Sequence, residues 1–398
     1  MDKVKNILFL TYYYPPQKYP RSIQISHLEK SLKNHFNIKI ITSIPKNNND
    51  ETLMEFTSLD NVIYTEKSSF TDFIETCRGD KIKKIILPDY AYLWHFDLFH
   101  KSIDVIESFK PDIIITFGQP MSSHIAGLKL KKKYPKLKWV AHFSDPWTDN
   151  MFNDYNFFTR SINSYYEKNV FLYADNLVFT STETINLVTK KYQDKIYNKS
   201  LCIPHMFDQS LYPTLGVKKN EKFIIRYIGN FYGKRNPDYL FEAVSKLKDF
   251  ERNSLQIELI GSSDNNIQEK IYNYGLEDLV IQRKSVSYLE SLSLMKEADL
   301  LIIIDAPSEL SPFLPSKLID YIGANKPIFG ITPEGTSKKL IEEMGFLTAH
   351  PEKIDEIFRK LTNMINLIKN KKIRKVPEKI KKRFNINNAG NKIFQLII

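Results

Sequence analysis

Pro312-Phe313-Leu314-Pro315-Ser316-Lys317-Leu318-Ile319-Asp320-Tyr321-Ile322-Gly323-Ala324-Asn325-Lys326-Pro327-Ile328 follows an apolar run, Leu300 to Ile304, that ends in Asp305. An apolar run this short, bounded by a charged residue and prolines, predicts a parallel strand buried on both faces. After it come a loop, a short helix starting near Ser316, and a Gly-Ala-Asn-Lys-Pro turn into the next strand. A strand-loop-helix unit aims unpaired backbone N–H groups and the positive end of a helix dipole at one spot, which suits an anion. Ser316 adds a hydroxyl and Lys317 a point charge at the same helix start, and Asp320, one turn on, could accept hydrogen bonds from a ribose diol. Phosphate and ribose together point to a nucleotide. The plainer alternative is a helix start with a surface lysine.

The rest of the chain repeats that unit. Apolar strand-like runs fall at 6–11, 38–42, 84–87, 112–117, 138–143, 177–180, 223–228, 256–260, 300–304 and 327–331, with helical stretches between them. Repeated strand-then-helix predicts parallel α/β sheets with helices on both faces. The chain has 398 residues, more than one domain usually holds, so two domains are expected. The pattern restarts after a stretch with Pro204, Asp208-Gln209-Ser210 and Pro213. This places a first domain at 1–208, a linker at 209–220, a second domain at 221–378 and a helical tail at 379–398 with Ile393, Phe394, Leu396 and Ile397 on its apolar face.

Composition narrows the classes. Apolar residues make up 42% and no run approaches the ~18 apolar residues of a membrane span, so a globular protein is expected. The N-terminus leads straight into Ile7-Leu8-Phe9-Leu10 without a signal-peptide pattern, which predicts a cytoplasmic location. Cys77 and Cys202 suggest neither a disulfide framework nor a zinc site. The net charge of +11 is concentrated: residues 369–383 hold nine Lys or Arg against one Glu, and 129–138 hold six Lys. Two basic patches on a near-neutral body predict peripheral binding to an anionic membrane at its inner face, or else two solvated lysine-rich faces.

Four segments carry the chemistry. Near the N-terminus a strand leads into Tyr12-Tyr13-Tyr14-Pro15-Pro16-Gln17-Lys18-Tyr19-Pro20-Arg21 and a helix expected to be capped by Ser22. Thr116-Phe117-Gly118-Gln119-Pro120-Met121-Ser122-Ser123-His124 and Ser144-Asp145-Pro146-Trp147-Thr148 each lie past the carboxyl end of a strand, where open α/β sheets place ligands. Trp147 offers a stacking face for a sugar ring and Asp145 a carboxylate to orient a hydroxyl; His124 reads either as a ligand contact or as a satisfied helix-start histidine. Gly229-Asn230-Phe231-Tyr232-Gly233-Lys234-Arg235 follows an apolar strand and precedes a helix, and its cations suit a diphosphate. The fourth segment is the Pro-Ser-Lys stretch.

These segments, in this order, resemble glycosyltransferase family four. The likeness rests on Pro315-Ser316-Lys317-Leu318 followed by Asp320-Tyr321, on the Ser-Ser-His and Asp-Pro-Trp pair, on the Pro-Pro loop, and on the glycine and cations of 229–235. The resemblance implies an α/β protein of the GT-B fold, two Rossmann-like domains with parallel sheets facing across a cleft. It implies a retaining, metal-independent transferase without a cofactor. Sugar would move from a UDP- or GDP-linked donor to a hydroxyl of a lipid-linked or growing surface glycan. By resemblance Asp145, Arg235 and Lys317 are catalytic; Gly229, Asn230, Lys234, Ser287, Glu309, Ser316 and Asp320 bind the nucleotide sugar; Pro16, Arg21, His124 and Trp147 lie on the acceptor side.

Other nucleotide chemistries fit less well. No two of the thirteen glycines stand as Gly-x-Gly, so the dinucleotide fingerprint is missing, and Gly229 to Arg235 lacks the Walker spacing. No Asp-x-Asp occurs, which argues against the metal-dependent GT-A fold. A nucleotide-sugar epimerase or hydrolase of the same fold remains the nearest alternative. A protein that only binds nucleic acid or other anions is a distant one, since the aromatic-and-basic interleaving of RNA-binding modules is absent.

Overall fold

The computed structural model describes residues 4–397 apart from 47, 68–70, 72, 74–87, 154, 193, 215–220, 262–264 and 374. The strand expected at 84–87, Cys77 and half of the expected linker, 215–220, therefore lie outside the described residues. The chain divides into two compact units, Met1–Pro204 with Ala389–Ile398, and His205–Asn388. Each contains one large parallel sheet.

The first unit holds β1 (Asn6–Leu10), β2 (Asn37–Ser43), β3 (Val62–Thr65), β4 (Ile113–Phe117), β5 (Lys138–Phe143), β6 (Asn176–Phe179) and β7 (Ser200–Cys202). They lie in the order β3-β2-β1-β4-β5-β6-β7, every pairing parallel, with Ile7 of β1 opposite Ile38 of β2 on one side and Ile113 of β4 on the other. Central strands are buried on both faces, which is why they read as unbroken apolar runs. Leu8, Leu10, Ile114, Ala141 and Phe143 join Trp94, Trp139, Trp147 and Phe171 in one core.

The second unit holds β8 (Phe223–Ile228), β9 (Leu255–Gly261), β10 (Val280–Lys284), β11 (Leu300–Ile304), β13 (Ile328–Ile331) and β15 (Thr348–Ala349), with a small side pair β12 (Leu310–Ser311) and β14 (Glu334–Gly335). The main order is β10-β9-β8-β11-β13-β15. The helix after β11 runs Ser316–Ala324, as the sequence predicts, and stops at Asn325 in the left-handed conformation with φ 57°, a geometry asparagine tolerates better than most residues.

Two expectations are corrected. The first helix runs Pro20–Leu32 with no side-chain cap; proline fits the first helical position because it lacks an N–H, so Ser22 lies inside the first turn, buried. The tail expected from 379 also divides. The helix Glu378–Phe384 packs within the second unit, where Ile380 and Phe384 are buried and Phe207 N donates to Phe384 O at 3.0 Å. Only Ala389–Ile398 groups with the first unit, where Phe394 meets the Phe36 ring at 5.4 Å and Lys138 Nζ donates to Leu396 O at 2.6 Å.

Candidate functional site

In each sheet the chain leaves two neighbouring strands in opposite directions: β1 and β4 in the first unit, β8 and β11 in the second. Beyond the carboxyl ends of such a pair the connections diverge and open a crevice. Pro16 and Arg21 follow β1, His124 follows β4, Gly229 to Arg235 follow β8, and Glu309 to Asp320 follow β11, whereas Asp145 and Trp147 follow β5 and Ser287 follows β10.

At the second switch point β8 ends in Ile228 and the chain turns through Gly229 with φ 144°, a conformation that suits glycine. A Cβ there would also collide with the Lys317 ammonium. Lys317, in the first turn of Ser316–Ala324, donates to Tyr227 Oη at 2.7 Å and lies 4.2 Å from that ring's centre. Tyr227 Oη donates on to Asn230 O at 3.2 Å. Burial holds the Lys317 pKa well below its ordinary value, and the Arg235 charge adds to that; Asp305 only partly opposes them. A lysine so starved of counter-charge is stabilised by any arriving anion.

Arg235 is 7% exposed. Its Nη2 lies 3.3 Å from Asp305 Oδ1 at the end of β11, and its Nη1 donates to Tyr232 Oη at 2.9 Å. Burial works against the guanidinium charge, yet Asp305, Tyr232 and Tyr227 together keep its pKa above the ordinary value. Arg235 Nε and Asp305 Oδ2 are buried without hydrogen-bond partners, so the pair keeps one donor and one acceptor unused. Lys234 and Asn230 are exposed; of the two adjacent cations, only Arg235 is turned into the protein.

Asp320 accepts from Tyr288 Oη at 3.0 Å, and its backbone carbonyl accepts from Tyr212 Oη at 2.8 Å. Burial raises the carboxyl pKa to about 7, with the Tyr288 bond pulling the other way. Ser287 caps the helix Tyr288–Glu297, its hydroxyl accepting from Glu290 N, and that cap sets Tyr288 against Asp320. Ser316 is half-buried and Glu309 exposed, just ahead of β12.

The first switch point is built differently. Arg21 Nη2 donates to His142 O at 2.7 Å and approaches His142 Nδ1 at 3.1 Å, and Nη1 reaches Gln24 Oε1 at 3.3 Å. Burial lowers the Arg21 pKa to about 9, and the Asp145 charge is the influence that raises it again. Asp145 is half-buried at the end of β5, and Pro16 half-buried in the loop after β1.

Trp147 does not stand where the sequence reading put it, and His124 lies buried at the helix start, the second of its two readings. His124 is 0% and Trp147 1% exposed. The Trp147 indole donates to Asn163 Oδ1 at 2.6 Å and its ring belongs to the core, so no face is free for a sugar. His124 Nδ1 shares a hydrogen bond with Thr116 Oγ1 at 2.7 Å, while its Nε2 is buried without a partner. Burial, with the Arg21 charge behind it, holds its pKa well below the ordinary value, so the ring stays neutral at physiological pH.

Sequence reading missed the residues that hold these loops. Glu167 Oε2 accepts from both Thr148 N and Thr148 Oγ1 at 2.8 Å. Its Oε1 takes Lys191 Nζ and Tyr192 Oη, also at 2.8 Å. Asn163 and Glu167 stand four apart on the buried side of the helix Phe157–Tyr173 and clamp the segment that carries Asp145. Two polar residues at that spacing among apolar ones were the available signal. For Asp305 the signal was a carboxylate closing an otherwise apolar strand.

Two doubly wound parallel sheets in one chain, with Arg235 buried and Lys317 half-buried at the switch point of the second, define the GT-B class of fold. The comparisons with known proteins agree. Residues 214–383 match the family model described as glycosyl transferases group 1. HepE of Anabaena, solved in complex with UDP, is 13% identical, with 98% of this chain and 99% of that one covered and a TM-score of 0.69. A sucrose-phosphate synthase from Thermosynechococcus elongatus is 14% identical over 98% of each chain, with a TM-score of 0.72. A glycosyltransferase from Rickettsia africae is 14% identical over 100% of this chain and 98% of that one, with a TM-score of 0.68. At such identities these likenesses speak for the fold. No curated protein matches the sequence. No helix among the described residues is long and apolar enough to cross a membrane.

Proposed function

We propose that the protein is a retaining glycosyltransferase that moves a sugar from a UDP- or GDP-linked donor to an acceptor hydroxyl. The observation that carries this reading is the convergence of Arg235 and Lys317 at the β8/β11 switch point, inside the segment that matches the glycosyl transferase family model. HepE, of the same fold, holds UDP, which supports a uridine nucleotide as the first donor to try. In this reading the second unit binds the donor. The bond from the anomeric carbon to the diphosphate oxygen breaks, and the charge developing on the leaving oxygens falls to Lys317, Arg235 and the N-terminal end of Ser316–Ala324. The acceptor oxygen bonds to the same face of the anomeric carbon and gives its proton to the departing phosphate. Asp320 takes the ribose, and Asp305 holds the Arg235 guanidinium while the diphosphate is absent.

The first unit is assigned the acceptor, with Asp145 orienting the attacking hydroxyl and Arg21 setting its charge environment. A lipid-linked or growing surface glycan is the acceptor class proposed. The test is a panel of UDP- and GDP-sugars, with and without lipid-linked saccharides. Nucleoside diphosphate release is measured, and the anomeric configuration of the product is read by NMR. Release that depends on acceptor, with configuration kept, supports the reading. Interconversion of nucleotide sugars without release would replace it by an epimerase, and an inverted product would remove the retaining mechanism.

A further inference from the structure

The helix Phe157–Tyr173 has one side too many for a buried helix of a soluble protein. It buries Thr159, Asn163, Glu167, Val170 and Phe171. Along the opposite side, seven residues apart, it exposes Phe158 (66%), Tyr165 (62%) and Leu172 (49%), with Ser161 and Lys168 exposed between them and with Phe157 (90%) at its start and Tyr173 (46%) at its end. An outward face of a globular helix is ordinarily polar, and large contiguous apolar patches mark interaction sites.

The neighbouring helix Ser122–Lys133 supplies the charge. Lys132 Nζ lies 5.1 Å from the Tyr173 ring centre, and on the other flank Lys129 Nζ lies 4.1 Å from the Phe96 ring, itself 42% exposed. Lys131 is taken up by Asp175 at 2.8 Å. The two helices together carry six Lys or Arg and a single acid, Glu167, which is 0% exposed and bonded inward. The face thus carries large apolar side chains along its ridge, interrupted by Ser161 and Lys168, and is cationic at its margins.

We propose that this face of the first unit seats on an anionic bilayer, with Phe157, Phe158, Tyr165 and Leu172 entering the headgroup boundary and Lys129, Lys132 and Lys133 meeting lipid phosphates. Aromatic rings favour that depth, and long lysine stems reach back from it to the headgroups. A second copy of the chain is the poorer occupant. A two-fold contact would bring the same cationic margins together. The surface differs from the basic segment 369–383, whose described residues carry no comparable exposed apolar ridge, and the proposal does not depend on the donor or the reaction.

The experiment is co-sedimentation of the full chain with vesicles of phosphatidylcholine alone and of phosphatidylcholine with phosphatidylglycerol, at low and high salt. Wild type should bind the anionic vesicles at low salt and release as salt rises. Phe157→Ser with Phe158→Ser should cut partitioning at least about tenfold, and Lys132→Glu with Lys133→Glu at least about tenfold. Lys371→Glu with Lys372→Glu should change it by no more than about twofold if the face is the one inferred. A Phe158→Trp variant should shift its emission to the blue on binding and be quenched by brominated lipid, which adsorption through lysines alone would not produce. Absent binding at low salt, unchanged binding in the phenylalanine variant, or loss only in the 371/372 variant would overturn the proposal. So would a concentration-dependent dimer, or retention by nucleic acid, abolished by the phenylalanine changes without any vesicle binding. All substitutions are at exposed positions, so melting temperatures should stay at the wild-type value, and donor turnover on a soluble assay is not needed to read the result.

Discussion

The two switch points present the same residue type in the same topological place and treat it in opposite ways. Arg235, past β8, has a carboxylate 3.3 Å away and a raised pKa. Arg21, past β1, has a carbonyl, an imidazole and an amide as its hydrogen-bond partners, and its pKa falls to about 9. Desolvation is the largest influence on both; the difference is whether a full negative charge is close enough to offset it. The second site is therefore a pair of cations, Arg235 and Lys317, sharing one acid, Asp305, and an arriving diphosphate would supply the charge it lacks. The first is one cation for which Asp145 is the charge that raises the pKa against burial.

The largest effect should follow from removing the cations of the second site. Arg235→Ala and Lys317→Ala should each lower turnover by about two orders of magnitude or more, as loss of a transition-state charge contact does. Single-turnover kinetics with a saturating donor measure it. Near-wild-type rates in both variants would mean that the contrast between the two switch points has nothing to do with leaving-group charge.

On the first site, Asp145→Asn keeps the shape and deletes the charge. Turnover should fall by more than about tenfold while the melting temperature holds. The Arg21 charge would then be answered by still less. If the variant instead melts early and keeps its specific activity, Asp145 serves the loop rather than the acceptor, and the first switch point is structural throughout.

Trp147→Phe separates the loop from the chemistry. It removes the indole donor to Asn163 and leaves a buried amide oxygen short of a partner, at a cost of about 1–3 kcal/mol. Chemical denaturation should show that loss, and turnover should stay within about twofold, because the ring is in the core. A large fall in turnover with unchanged stability would restore the sugar-stacking role that the sequence suggested and the burial of the ring opposes.

That last case shows where sequence reading stops. Every interior strand of both sheets was legible, because a parallel strand covered on both faces must be apolar throughout. The strands of the two main sheets that it missed, β3, β7, β10 and β15, stand at their four edges, and the two-residue pair β12 and β14 went unseen as well. Edge strands pair on one side only and tolerate polar residues: β10 reads Val-Ile-Gln-Arg-Lys and β7 is the three residues Ser-Leu-Cys. The cations of the second site were legible for a related reason, since a charged residue in a glycine- or proline-rich loop after such a strand has few other places to go. His124 and Trp147 were not. A motif names residue types near a strand end but does not say which face they turn to, and here packing against Phe143 and the bond to Asn163 turn both inward. Asn163, Glu167 and Asp305 went unseen because their partners are distant in sequence.

The smallest effect concerns Asp320, and it tests whether burial without a nearby cation is what sets an acid of the second site apart. Its pKa is raised to about 7, burial being the main cause, against about 3.9 for an unperturbed aspartate. Between those values the folded state holds the proton and the unfolded state has lost it, so stability falls as pH rises through the window and levels off above about 7. Asp320→Asn keeps an oxygen to accept from Tyr288 and carries no charge to desolvate. The variant should match wild type near pH 4 and melt a few degrees higher at pH 8, with the gap opening across the range between. Melts at several pH values without donor measure this. A gap that is constant with pH would show that the carboxyl titrates at its ordinary value, and that solvent or an undescribed partner offsets its burial.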